Sequence, residues 1–223
     1  KASLFPRLPL ENLRVSWLLL SAFLLAMVYG LSGPGQLERF NGIIQDTSGW
    51  LHQRPASADI VIVAIDDDSI DSIGRWPWRR ALHAQLVDQI TAQSPRALGL
   101  DILFGEEDAD YPGDDLLLAR ALERNAHAVL PVARRGDGPR SSADAPMPLL
   151  RQAAAQLGHV QVQLDEDGVA RSLFEHEGPA SAPWPHFSTA MLCAEGLALA
   201  SCRGNAAPVN APWTSQDLQI DRK

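Results

Sequence analysis

Cysteine is nearly absent from this chain: Cys193 and Cys202 are its only two in 223 residues. So few cysteines exclude a disulfide-dense framework, and no Cys or His pairs at ligand spacing accompany them to suggest zinc. A helix running through both would hold them roughly 13 Å apart, too far to bridge. A disulfide requires the chain to turn back after Ala200. Basic residues are also short, 19 Lys and Arg against 27 Asp and Glu, for a net charge of -8. No basic stripe with interleaved aromatics offsets that acidity, which excludes nucleic acid as a partner. Catalytic signatures are missing as well. There is no Gly-x-Ser-x-Gly elbow, no His-Glu-x-x-His, no glycine loop to cradle phosphates, and the six histidines are scattered. No internal repeat is present.

What the chain has is one long uncharged run, VSWLLLSAFLLAMVYGL at 15–31. As a helix it spans roughly 26 Å, at the short end of what crosses a hydrocarbon core. It is apolar all round, unlike an ordinary core helix. Trp17 and Tyr29 stand near its ends, and Lys1, Arg7 and Arg14 precede it. Positive charge before the run predicts a cytoplasmic N-terminus and an exported remainder. A cleaved signal peptide, with Val28 and Gly30 as small-residue candidates, is the competing reading, and the length of the run favours an uncleaved anchor. The expected organisation is a cytoplasmic stub at 1–14, a transmembrane helix at 15–31, a membrane-proximal helix and linker at 32–57, and an extracytoplasmic domain at 58–223. The chain is expected to be a piece of a longer protein.

The exported part alternates strand and helix. Leu37, Phe40, Ile44 and Leu51 recur with helical spacing after the break at 33–35, and Pro55 closes that helix. DIVIVAI at 59–65 reads as a buried central strand. A helix through Gln93 follows, with Leu82, Leu86, Val87 and Ile90 on one face. The second strand is ALGLDIL at 97–103. Asp114 can cap the next helix, which turns Leu117, Leu118, Ala121 and Leu122 inward. The third strand is AHAVLPV at 126–132, and 133–148 reads as a mobile loop. Then come a short helix, strands at 159–164 and 169–174 joined across an Asp-Gly turn as a hairpin, and a helix at 186–200. The predicted fold is α/β: a mixed, mainly parallel sheet flanked by helices, preceded by one N-terminal transmembrane helix.

Three blocks carry a family resemblance: IVIVAIDDDSIDSIGRWPWRR at 60–80, RALGLDILFGEED at 96–108, and GHVQVQLDEDGVARSLF at 158–174. In type and order they resemble the second class of CHASE domains, extracellular sensory modules associated with cyclases and histidine kinases. The resemblance covers roughly 35–223. It implies a sensor following a membrane helix at a bacterial inner membrane, with further membrane helices and a cytoplasmic cyclase or protein kinase output beyond this chain. It also implies that the sensor is incomplete at its C-terminus and that the chain is not itself an enzyme.

Two constellations are candidates for ligand binding. The first is the acidic group Asp66, Asp67, Asp68, Asp71, Asp101, Glu106, Glu107 and Asp108. Parallel strands would bring Asp66 and Asp101 to their carboxyl ends, where open α/β sheets bind ligands. No cofactor is expected, though a divalent cation has its weak candidates in Asp66, Asp68, Asp101 and Glu106. The plain alternative is solvated loops with Asp66 and Asp101 capping turns. The second is the turn Arg75-Trp76-Pro77-Trp78-Arg79, where an arginine can pair with Asp66, with Asp101 or with an anionic ligand. Its plain alternative is a structural corner with Trp packed on the sheet and Arg79 tied to an acid. Arg171 reads as a hairpin-stabilising salt bridge. The expected function is a sensory input module, with a membrane, a second copy of the chain and an unidentified small-molecule or protein signal as partners, and the helix at 35–53 as the dimer seam. A membrane-anchored metal-dependent hydrolase and a non-sensing interaction scaffold are the alternatives.

Overall fold

The computed structural model describes residues 10–31, 36–53, 55–136, 142–165, 167–179, 183–199 and 202. The chain divides after Ile62 into two units. The first holds α1 (Leu10–Leu31) and α2 (Gln36–Leu51). Every side chain described in α1, 15–30, is exposed. Among the described residues no helix is long and apolar enough to cross a membrane. The helix stands where the apolar run predicts it, but the expected transmembrane span is not supported among the described residues. On α2, Ile43, Ile44, Trp50 and Leu51 are exposed.

The second unit begins at Val63. Its elements are α3 (Asp67–Ile73), α4 (Arg80–Thr91), β1 (Leu98–Gly99), α5 (Pro112–Asn125), β2 (Ala128–Arg135), β3 (Ser142–Asp144), α6 (Pro148–Ala153), β4 (Gln156–His159), β5 (Val162–Gln163), β6 (Ser172–Leu173), β7 (His176–Glu177), β8 (Trp184–Pro185) and α7 (Phe187–Ala194). β2 is the central strand. It pairs in parallel with β1 and with β4, and β3 runs antiparallel along its C-terminal part. Two small antiparallel hairpins, β5–β6 and β7–β8, follow.

The period of two along β2 explains the layering. Ala128, Leu130 and Val132 face a core with Ala84 and Val87 of α4, Leu118 and Leu122 of α5, Leu150 of α6 and Trp184. Val129, one residue out of step, faces Ala190 and Ala194 of α7. Helices therefore flank both faces, as expected of the fold class. Glycine permits the tightest contact. A Cβ added at Gly158 would lie 2.6 Å from the Phe187 Cα, and one at Gly99 would lie 2.8 Å from the Phe187 ring.

Several boundaries differ from expectation. Residues 59–65 are not a buried strand. Ile60, Val61, Ile62 and Val63 are exposed, Ile62 at 86% of its surface, and no strand pairs with them among the described residues. An apolar β-branched run becomes a strand only where a neighbouring edge takes up its hydrogen bonds. Asp114 does not cap α5. Pro112 starts that helix, its missing N–H costing nothing there, so Asp114 and Asp115 fall in its buried first turn. Leu117 is exposed while Leu118, Ala121 and Leu122 are buried. The segment read as a mobile loop contains β3, registered on β2 from Ala133 with Asp144 to Arg135 with Ser142. Finally, α7 stops at Ala194. Gly196, at φ +99°, takes a conformation open to glycine, and the chain turns there, earlier than expected. That early turn brings Cys202 back to Cys193 as a disulfide with a Cα–Cα distance of 5.6 Å.

Candidate functional site

The turn after α3 is held from both sides. Asp66 caps α3, accepting from the Ser69 N–H at 2.9 Å and from its hydroxyl, and these bonds hold its carboxyl below the usual range. Gly74 ends the helix at φ +119°, and its carbonyl accepts from the Trp78 indole N–H at 2.6 Å. Trp76 and Trp78 meet edge to face at 5.6 Å, and Trp76 makes the same contact with His83. His83 in turn packs on Phe104. Burial, then the charge of Arg80, pushes the His83 imidazole below its ordinary value.

The two arginines that close the turn are both committed to α5. Arg79 donates to Asp114 through Nε at 3.0 Å and Nη2 at 3.1 Å, with its guanidinium 3.7 Å from the centre of the Tyr111 ring. Arg80 donates to Asp115 and to the Glu106 carbonyl, and the other Asp115 oxygen accepts from the Asp108 N–H at 3.0 Å. The hydrogen bonds from Arg79 hold Asp114 below the carboxylate range and raise the guanidinium itself. Asp66 and Asp101 are the partners that one of the two sequence readings offers an arginine of this turn. They lose that role because a helix beginning at Pro112 delivers two adjacent carboxylates, uncommitted to capping, directly beneath the turn. Arg79 tied to an acid is the plain alternative that holds.

The remaining predicted residues are not gathered. Asp67 and Asp68 lie in the exposed first turn of α3, and Arg75, Asp101 and Glu106 are exposed. Among the described residues no group of three or more His, Cys, Asp or Glu side chains is placed to hold a metal ion. Arg171 does what its position predicts. It bridges Asp165 at 2.9 Å and Asp167 at 2.7 Å across the turn between β5 and β6, holding Asp167 down at about 2.

Sequence reasoning missed a second cluster, where β2 and β4 end. His159 is the last residue of β4 and is 0% exposed, and Glu177 of β7 is 1% exposed. Glu177 Oε2 lies 3.8 Å from His159 Nδ1, and Oε1 lies 3.9 Å from Arg134 of β2. The His159 ring meets that of His186 edge to face at 5.2 Å. His186 caps α7, its Nδ1 accepting from the Ser188 N–H. Burial drives Glu177 up to about 7, with Arg134 opposing, and drives His159 down to about 3, helped by His186 and His176. Three histidines spread over 159–186 carry no spacing signal, because a fold rather than a helix face brings them together.

The fold and its polar clusters define a mixed α/β module with no metal-holding group of side chains among the described residues. A family model, the CHASE2 domain, matches residues 20–219, and the chain belongs to that family. CHASE2 domains are extracellular sensory domains associated with signalling proteins, sensors rather than catalysts. No curated protein and no solved structure matches the chain.

Proposed function

We propose that this chain is the extracytoplasmic input module of a bacterial transmembrane signalling protein, anchored at the inner membrane through α1 and governing a cytoplasmic cyclase or protein kinase. Membership of the CHASE2 family is the observation that carries this reading. Two features support the location. The basic residues Arg7 and Arg14 precede the uncharged run at 15–31, and Cys193 is bridged to Cys202, a bond that persists in oxidising compartments. A signal acts by binding one packing of the domain better than another; without that difference nothing passes inward. All of the predicted ligand set but Trp78 is exposed, and Asp66, Trp78 and Arg79 are engaged in holding the turn at 66–79. The apolar residues exposed on α2 fit pairing with a second copy.

The test is made in the parent protein. Deleting 58–223 is expected to abolish signal-dependent change in output while leaving the output enzyme folded. Output that responds unchanged after the deletion, or protease shaving that finds the domain in the cytosol, defeats the reading.

A further inference from the structure

Ionisable side chains from four elements converge where the parallel strands end. Arg134 comes from β2, His159 from β4, His176 and Glu177 from β7, and His186 from the cap of α7, with Glu175 just before β7. Neither Glu177 oxygen and neither His159 nitrogen has a hydrogen-bond partner among the described residues. At 3.8 Å and 3.9 Å, the contacts of Glu177 with His159 and Arg134 are too long for hydrogen bonds.

That spacing decides the charge state. A carboxylate and an imidazolium taken out of water are stabilised only when close geometry and further hydrogen bonds offset their desolvation. Here neither condition is met, so the neutral acid beside the neutral imidazole is the cheaper pair. His186 and His176 also disfavour a charged His159, the nearby backbone of Phe174 and Glu175 favours it more weakly, and only Arg134 favours a charged Glu177. The acid thus keeps its proton up to about neutrality. Once the proton leaves to solvent, no heavy-atom bond changes, but a buried carboxylate then demands a charge-assisted donor at roughly 2.8 Å. The Arg134 guanidinium, 3.9 Å away on the end of β2, is the cation that faces it.

We propose that Glu177, with His159 and Arg134, is a proton switch: release of one proton from Glu177 converts a loose neutral contact into a close ion pair with Arg134 and moves the β7–β8 hairpin against the end of β2. Its use as a signal, outside acidity reported to the cytoplasm, rests on the sensor reading above. The switch itself does not depend on that reading.

The experiment is carbon-13 NMR of glutamate carboxyls in the full 223-residue chain, titrated from pH 5 to 9, with Glu177→Gln assigning the resonance. One carboxyl is expected to titrate near pH 7, with amide shifts in β7 and β8 sharing its midpoint. Arg134→Gln should move that midpoint upward, which a merely structural arginine would not do. A Glu177 that titrates with the other glutamates, a hairpin that does not follow it, or a midpoint indifferent to Arg134→Gln overturns the proposal. The wild-type titration needs no variant to fold. It also needs no output enzyme, so its failure leaves the sensor reading standing. Loss of the sensor reading by domain deletion, with the titration intact, leaves the switch.

Discussion

The side chains that matter most to this fold are ionisable and buried, and they differ in how they are satisfied. Asp115 is paired with Arg80 and also accepts from the backbone, so removing it takes the carboxylate partner from a partly buried guanidinium. Asp115→Ala is expected to cost on the order of 3 kcal/mol in urea unfolding. Glu177 and His159 act through linkage instead. Glu177 rises from 4.5 to about 7 on folding, so its contribution is fully present below pH 4.5 and is lost as pH rises through 7. His159 falls from 6.5 to about 3, so its contribution is present above pH 6.5 and is lost as pH falls toward 3. Between pH 4.5 and 6.5 the two slopes oppose and cancel. Relative to wild type, Glu177→Gln should lose stability as pH falls from 6.5, and His159→Gln should lose it as pH rises from 4.5. Each change should amount to a few kcal/mol, read as urea midpoints across the pH range. Parallel profiles for the three proteins would contradict the linkage.

At the level of elements, the closest packing is that of α7 on the sheet, and glycine makes it possible. Gly158→Ala would drive a methyl group into the backbone of Phe187, at a cost of about 1–3 kcal/mol, visible as a lowered thermal midpoint. Much of this layer was legible beforehand. The helices near 80–93 and 112–125, the parallel pairing around 98–99 and 128–129, and the β5–β6 hairpin with its Arg171 clamp follow from apolar period and turn chemistry. What escaped has physical causes. Period alone marks 59–65 as strand-forming but does not supply a neighbour to pair with. Capping rules favour Asp114 over Pro112 as a helix start, yet a proline at the first position hands both aspartates to arginines more than thirty residues away. The Cys193–Cys202 bridge follows a turn at a left-handed glycine, and the cluster at His159 depends on four separate elements meeting. Neither has a local signature, the second because its side chains come from β2, β4, β7 and the cap of α7.

For the molecule as a whole, the two cysteines serve as a record of where the domain folds. Protein recovered from an exporting cell is expected to show no reactive thiol until it is reduced, because no free cysteine remains. Reduction, or the Cys193→Ser and Cys202→Ser pair, should cost about 2–3 kcal/mol for a loop of this length. Thiol counting by mass shift before and after reduction checks it, and a chain that arrives with both thiols free would place its folding in the cytosol. One feature bears on handling the purified material. Residues 60–65, Ile-Val-Ile-Val-Ala-Ile, form six uncharged positions without proline or glycine, mostly β-branched and lying open to solvent. Such a stretch stacks on its own copies in a cross-β zipper. Concentrated stocks should slowly deposit thioflavin-binding fibrils seeded at this hexapeptide, and Ile62→Lys should keep them clear.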